Sequence, residues 1–569
     1  MPETPEVEDA FAAESVDYDD APGETPQPKP AVTIASPAQR KGITVRPDVQ
    51  ISLDGKTFTD AGNADRLVAL ATPNLKFVRA WQSWLVYQNG VWVEDVKKTL
   101  VRQYALLVGK RLREEWQLVQ GRVNTTRAAL SAITDEEEAA ALAVVLSGHK
   151  ANAKLLSSAL SLADSARGIN SMIELAQSNP SVLIEHTELD PDPYLLNCSN
   201  GTVDLHTGTL QPHDPADLCT KQVRVAYNPF AVAPTWDKCL AEWQTDAVVR
   251  DYLQTEMGAG TIARPTQNIS IHYGTGANGK SVFFDVIQWV LGEYAAVPDK
   301  SLLVKSAQEQ HRTVYADLQG VRLAVAHETA ATDKLNEADV KNITGGDLIK
   351  ARKMRQEAFT FAPTHTMVLV TNYRPRIDGT DEGIWRRIIL VPWEVTIPKA
   401  QRDPNLTGRL ELEAPGILNW LIKGAVEFAK SGMLNPPQVI TDASAEYRKD
   451  QDVVGSFLVD MNAVFGPRER MVTSSFILAH ESWCRDNDID PGWHKKAVTN
   501  ELKRRGCSPK STGGQRYWSG VSLGKLTGPS TQTTPTTPQV VLPKTTEQGR
   551  KLLEQMEADM KANNAEAPF

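Results

Sequence analysis

The apolar positions of the chain change period several times along its length. Between residues 268 and 392, short apolar runs rich in β-branched residues alternate with polar or helical stretches. Asn268-Ile-Ser-Ile271, Val321-Arg-Leu-Ala-Val-Ala-His-Glu328, Thr366-Met-Val-Leu-Val-Thr-Asn372 and the run closing Gly383–Pro392 have the length and composition of buried strands. Val282–Leu291, just after the first of them, instead carries its apolar residues at helical spacing. This alternation predicts an α/β core.

Upstream, Ala80–Val93 reads as two strands turning at Asn89-Gly90. A helical pattern covers about 95 to 180 and includes the Ala-rich stretch Glu136–Leu146. Tyr194–His206 returns to strand pattern around a second Asn-Gly pair, so residues 46–230 read as an α+β region. Between Leu348 and Phe361 the pattern is that of a hairpin whose tip crowds Lys350, Arg352, Lys353 and Arg355 together. Downstream of Asn435-Pro-Pro437, a small module is expected over 454–525. Its first helix, Val472–Cys484, opens on Thr and Ser capping residues, and its second, Lys495–Arg505, stops at Gly506. Tyr517, Trp518 and Val521 then suggest short strands about a glycine-rich turn. Helix, helix and β-wing is the order of a winged helix.

Composition adds limits. Residues 1–45 are rich in Pro, Glu and Asp and almost free of aromatics, so they are expected to be a disordered acidic arm. Residues 526–569 read as a Thr/Pro-rich linker and a charged tail. No apolar run is long enough to span a bilayer and no signal peptide is evident, so a cytoplasmic protein is expected. Five cysteines without a CxxC pair argue for a reducing compartment and against a zinc site. The net charge of −9 advertises no nucleic-acid partner globally, but between 466 and 525 eleven Lys and Arg face six Asp and Glu. Local basic charge of that kind is the footprint of nucleic-acid binding.

The chemistry centres on Gly274-Thr275-Gly276-Ala277-Asn278-Gly279-Lys280-Ser281, set between a predicted strand and a predicted helix. That is the context of a phosphate-binding P-loop: glycines let backbone N–H groups close on phosphate oxygens, and the helix N-terminus adds partial positive charge. Lys280 is expected to reach the β and γ phosphates of ATP and Ser281 to hold Mg²⁺. The second strand ends in an acid, Glu328, where a carboxylate polarises the attacking water and orders the metal shell. The third ends in Asn372, whose carboxamide suits the γ-phosphate and the water. Trp81, Trp84 and Trp92 read as core in preference to a base-stacking platform. Asp190-Pro-Asp192 is a poor primase metal site, because it lies in a proline-rich turn.

With Glu328 48 residues beyond Lys280, Asn372 44 beyond that and the pair Arg386-Arg387 at the head of the next apolar run, the spacing is that of a compact ATPase. It resembles the superfamily 3 DNA helicases of phages and plasmids, in the helicase–primase group related to the poxvirus helicase-primase. Gly276–Ser281, Asn342-Ile-Thr-Gly-Gly-Asp347, Thr371-Asn372, Gly383-Ile-Trp-Arg-Arg387 and Glu413-Ala-Pro-Gly-Ile-Leu-Asn-Trp420 carry the likeness. It implies an AAA+-like P-loop ATPase domain over 235–430, behind a helicase-associated domain over 46–230. It also implies a homo-oligomeric ring, usually hexameric, that moves on single-stranded and forked DNA beside a replication primase or polymerase. In a phage the setting would be the host bacterial cytoplasm.

The resemblance makes Lys280, Glu328 and Asn372 catalytic, with Glu328 and Ser281 on the metal. It assigns Arg387, with Arg386 second, as the finger reaching a neighbour's nucleotide, and Lys341 as a further basic residue facing that site. Lys350, Arg352, Lys353 and Arg355 become a pore hairpin on DNA phosphates. One departure is that His327, where many members have an acid, precedes Glu328. The competing reading is a replicon initiator or loader ATPase that remodels complexes without unwinding. Primase activity has no support in the sequence.

Overall fold

The computed structural model describes residues 57–305, 313–327, 333–352, 358–377, 382–487 and 495–524, the last from 498 onward for side chains. The expected arm at 1–45 and tail at 526–569 lie outside these residues, as do Glu328, Lys353 and Arg355. The chain forms two compact units, 1–451 and 452–569.

The first unit begins with α1 (Asp60–Ala71), β1 (Leu75–Val78), β2 (Ser83–Gln88) and β3 (Val91–Glu94), followed by the long antiparallel helices α2 (Thr99–Ala132) and α3 (Glu136–Ala163), then α4 (Ala166–Ala176) and β4 (Leu183–Ile184). The β2–β3 turn sits at Asn89-Gly90, both with positive φ, the geometry that matches the twist of a hairpin. Trp84 and Trp92 are fully buried, Trp84 edge-on to Phe77 at 5.0 Å. They are core, as expected. Asp190 accepts from the Thr220 backbone N–H at 2.8 Å and from its hydroxyl, so its carboxylate is a loop brace.

Next come β5 (Leu195–Cys198), β6 (Gly201–Asp204) and β7 (Thr209–Gln211), an antiparallel sheet. Leu196, Cys198, Val203 and Leu205 pack into the same core as Trp236, Phe283 and Leu421. The domain boundary expected near 230 is therefore no break, because residues from about 195 onward share the central core.

That core surrounds one five-stranded sheet. Its elements are α5 (Pro234–Trp243), α6 (Ala247–Ala259), β8 (Ile269–Tyr273), α7 (Lys280–Leu291), β9 (Ala295–Ala296), β10 (Leu323–His327), α8 (Glu337–Thr344), the hairpin β11 (Ile349–Arg352) and β12 (Ala358–Phe361), β13 (Thr366–Thr371), α9 (Glu382–Trp385), β14 (Ile388–Pro392), α10 (Leu406–Leu412), α11 (Ala414–Ser431) and α12 (Gln438–Gln451). The strand order is β14-β8-β13-β10-β9, all parallel. Along β13, Val368 and Val370 point to the face covered by α6, α7 and α11, while Met367 and Leu369 point to the other. Both faces are buried, which is why these strands read as unbroken apolar runs. Helix α12 also belongs here: the Leu390 N–H donates to Ser444 Oγ at 2.9 Å and the buried Tyr447 hydroxyl donates to the Pro375 carbonyl. The unit thus extends to 451, beyond the expected limit of 430.

The Glu413–Trp420 motif has a mechanical role. Glu413 accepts from the backbone N–H groups of Thr235 and Trp236 at 2.9 and 3.1 Å, capping α5 from a distant part of the chain. A Cβ on Gly416 would lie 2.3 Å from the Val232 backbone, and Asn419 donates to the Asn228 and Ala231 carbonyls. The motif therefore fastens the 228–236 segment.

The second unit contains α13 (Val453–Asp460), β15 (Val464–Val472), α14 (Thr473–Asp486), α15 (Lys495–Arg504), β16 (Ser508–Thr512) and β17 (Gln515–Ser522). Its sheet order is β15-β17-β16, antiparallel, over a core of Phe457, Phe476, Leu502, Trp518 and Val521. The two expected helices and the strand at Tyr517 are present. The sequence pattern had not indicated α13 or β15.

Because Glu413 caps α5 with charge-assisted bonds, Glu413→Ala should lower unfolding stability by about 1–2 kcal/mol, read by denaturant melts. An unchanged midpoint would mean that the cap is replaced by water at no cost.

Candidate nucleotide-binding site

The parallel register brings widely separated residues to one edge. Tyr273 lies opposite both Thr371 and Pro392, and His327 opposite Val370, so the carboxyl ends of β8, β13, β14 and β10 are level. After β8 the chain leaves for the far edge and returns strand by strand, then crosses to the other side of β8. Loops diverge at such a switch point, and the crevice they leave is where ligands bind in open α/β sheets. Here it is a cleft of 540 Å³, lined by residues 276–282, His327 and the stretch from Val370 to Tyr373.

The loop between β8 and α7 is shaped by its glycines. Gly276, Ala277 and Gly279 all have positive φ, and Gly276 has open space where a Cβ would be. At Gly279 a Cβ would meet the Trp243 indole at 2.4 Å, and at Gly274 it would meet the Trp393 carbonyl oxygen at 2.3 Å. The loop is pressed from below by two tryptophans and turns its backbone toward the cleft. Asn278 Nδ2 donates to the Trp393 carbonyl at 3.0 Å, and the Ile397 N–H donates to the Ala277 carbonyl at 2.7 Å.

Trp393 is in turn held by a buried imidazole. Its indole N–H donates to His272 Nδ1 at 3.1 Å, so the His272 proton resides on Nε2, which faces Glu256 Oε2 at 3.3 Å. His272 and Glu256 are both fully buried. Neither Trp243, Trp393, His272 nor Glu256 appears in the expected site. Each reads as an ordinary core or strand position, and only the third dimension places them under the glycines.

Lys280, the first residue of α7, is buried and donates to the Gly274 carbonyl at 2.7 Å, Asn278 Oδ1 at 3.3 Å and Asn372 Oδ1 at 3.4 Å. Burial lowers its ammonium to about 8. Ser281 is exposed in the first turn. The loop, Lys280, Ser281 and Asn372 are thus brought together, while Glu328, directly after β10, lies outside the described residues. The donors fit a polyphosphate: positive-φ backbone facing a cleft, a helix N-terminus, and an ammonium whose partners are all neutral oxygens.

The arginine pair is elsewhere. Arg386 and Arg387 precede β14, whose far end is level with the loop, so they sit roughly 13 Å or more from it at about 3.3 Å per residue. Arg387 is half-buried, donating to the Gly383 carbonyl at 2.6 Å and to Thr344 Oγ1 at 3.2 Å. Arg386 is exposed, and no hydrogen bond or ion pair of its guanidinium is found among the described residues. Arg387 ties α8 to α9, and Arg386 is presented outward. The basic hairpin is present, with Ile349 and Ala351 buried and Lys350 and Arg352 exposed between them; its tip is outside the described residues.

Comparison with known proteins agrees with this arrangement. Residues 64–245 match the family described as D5 N terminal like, and residues 272–387 match a family of unknown function, DUF5906. The chain is 29% identical to "Putative helicase L207/L206" of Acanthamoeba polyphaga mimivirus over 48% of its own length and 31% of the relative's. The chain thus carries a D5 N terminal like region and is similar to viral proteins named as putative helicases and primases. African swine fever virus "Putative primase C962R" is 28% identical over 35% of this chain and 22% of the relative. Invertebrate iridescent virus 6 "Putative helicase 184R" is 27% identical over 38% and 24%. The chain spans less than a third of the length of each of these relatives. The apo C-terminal region of NrS-1 aligns over 63% of the chain at 10% identity and a TM-score of 0.37, too loosely to carry an argument. No helix among the described residues is long and apolar enough to cross a membrane.

Lys280 generates a pH prediction. Phosphate contact requires the ammonium, which is present below about pH 8 and must be recovered from the free amine above it. Affinity for ADP should be flat below about pH 8 and weaken by up to about tenfold per pH unit above it, measured by calorimetry. A flat profile to about pH 9.5 would remove Lys280 from the phosphate contacts.

Proposed function

We propose that this chain is an ATP-driven DNA helicase of the superfamily 3 type, built on an AAA+-like P-loop core and working as a ring, usually hexameric, on single-stranded and forked DNA. The convergence of the glycine loop, Lys280 and Asn372 at the switch point of the parallel sheet carries this reading. The backbone of 276–281 and Lys280 would cradle the phosphates of ATP, with Asn372 beside the terminal one. Ser281 and Glu328 would hold Mg²⁺, which screens phosphate charge when bound. Glu328 follows β10 directly and is suited to take a proton from the attacking water.

A finger placed at the opposite end of β14 cannot serve its own glycine loop. Its distance supports action on a neighbouring subunit, and its freedom makes Arg386 the better choice, with Arg387 as the clamp that aims it. The hairpin offers Lys350 and Arg352, and by sequence Lys353 and Arg355, as phosphate contacts that ignore base identity. The second unit has the helix–strand–helix–helix–strand–strand order of a winged helix and a surplus of basic residues, which supports nucleic-acid binding there. This assembly would act beside a replication primase or polymerase in the cytoplasm, the host bacterial cytoplasm if the source is a phage.

The test is subunit mixing. Arg386→Ala and Lys280→Ala proteins should each lack ATPase activity, while a mixture regains it wherever an intact finger meets an intact loop. In other P-loop enzymes such a finger contributes roughly 10³ to 10⁵ in rate, so recovery should be plain. Mixtures that co-assemble yet stay inactive would sink action in trans. Full ATPase activity of Arg386→Ala alone, beside an inactive Arg387→Ala, would return the role to Arg387.

A further inference from the structure

The second unit carries its positive charge in two different ways. At the end of α15, Arg504 and the next residue, Arg505, both donate to the buried carboxylate of Glu501, at 2.7 and 2.8 Å. These bonds, that of Arg504 foremost, hold the Glu501 carboxyl below its ordinary range. The single carboxylate balances one of the two charges and fixes both guanidinium groups in direction.

The sheet is different. Its strands hold Arg468, Arg470, Lys510 and Arg516, all exposed, and among the described residues no acid pairs with any of them. Glu469, the acid on these strands, is half-buried and accepts from the Ser522 hydroxyl. Strand register then decides which side chains share a face. Trp518 lies opposite Met471 and Pro509 and belongs to the core, so its neighbours Tyr517 and Ser519 point outward. Tyr517 lies directly opposite Lys510 on one side and Val472 on the other, while Arg470 lies opposite Ser519. The Arg470 guanidinium stands over the Tyr517 ring at 5.7 Å from its centre. The outer face of the sheet therefore presents a half-buried aromatic ring with a cation near its face and a second cation across the adjacent strand pair.

We propose that this outer face, Tyr517 with Arg470 and Lys510, is a platform for single-stranded nucleic acid, which reaches the second unit at its sheet and not at α15. The proposal rests on the reading that this unit binds nucleic acid, and it names the site and the strand state. Unpaired bases extend the Tyr517–Arg470 stack, since both a phenol ring and a guanidinium plane accept a base. Lys510 takes a backbone phosphate. Duplex bases are already stacked on one another and give such a face only phosphates, so single strands are preferred. The face offers stacking without a row of base-reading donors, which suits a sequence-tolerant grip.

The test uses the full chain and an oligodeoxythymidylate carrying 5-bromodeoxyuridine, with photo-adducts located by mass spectrometry. An adduct on the peptide containing Tyr517 is expected. Arg470→Ala with Lys510→Ala should lower its yield about tenfold or more, while Lys503→Ala on α15 leaves it unchanged. Tyr517→Phe, which keeps both ring and fold, should retain the adduct, whereas Tyr517→Ala should lose it. Adducts confined to α15 would overturn the proposal and leave nucleic-acid binding by the unit intact. Absence of any adduct within 452–524 would overturn both. Equal competition by duplex DNA would overturn the preference for single strands.

Discussion

The arrangement depends on how closely the backbone of the glycine loop approaches the two tryptophans beneath it. At Gly274 and Gly279 a single added carbon would collide with the Trp393 carbonyl or the Trp243 ring. Because that space is filled, the loop has only one way to turn, toward the cleft. Trp393 can serve as the floor because it leaves β14 level with the end of β8 and its indole donates to the buried His272. A buried carboxylate and imidazole are costly to keep in a core. Here the imidazole fixes the direction of one indole, and with it the position of the loop that starts α7.

From that edge the rest of the first unit follows. Parallel pairing brings Asn372, 92 residues beyond Lys280, to within 3.4 Å of its ammonium. The same register sends the head of β14 to the far side of the sheet and carries the arginine pair away from the loop. Under the proposed function, nucleotide chemistry at one edge and an arginine at the other would let each subunit complete its neighbour's site.

Much of this was legible in the sequence because the residues concerned are close together or repeat with a period. Gly274–Ser281 announces itself, the buried strands read as apolar runs, and the Asn89-Gly90 turn predicts its hairpin. What stayed hidden depends on contacts across many residues. Glu413 reads as part of a motif, but that it caps α5 cannot be seen without the fold. Arg386 and Arg387 are adjacent and chemically identical, and only Thr344 and Gly383 distinguish them. Strand β15 escaped because its pattern is interrupted by Gly466, Pro467 and a register shift, so alternation breaks where the strand bends. No break falls near 230, because the apolar residues of β5 and β6 join the same core as the sheet and its helices.

The central claim is that nucleotide hydrolysis at this cleft drives strand separation. Purified protein should be given a forked DNA with one labelled strand, and strand release followed with ATP and Mg²⁺ or with a hydrolysis-resistant analogue. The account predicts release with ATP and none with the analogue, although both bind. Vigorous DNA-stimulated ATP hydrolysis without strand release would contradict it and favour a remodelling ATPase that does not unwind.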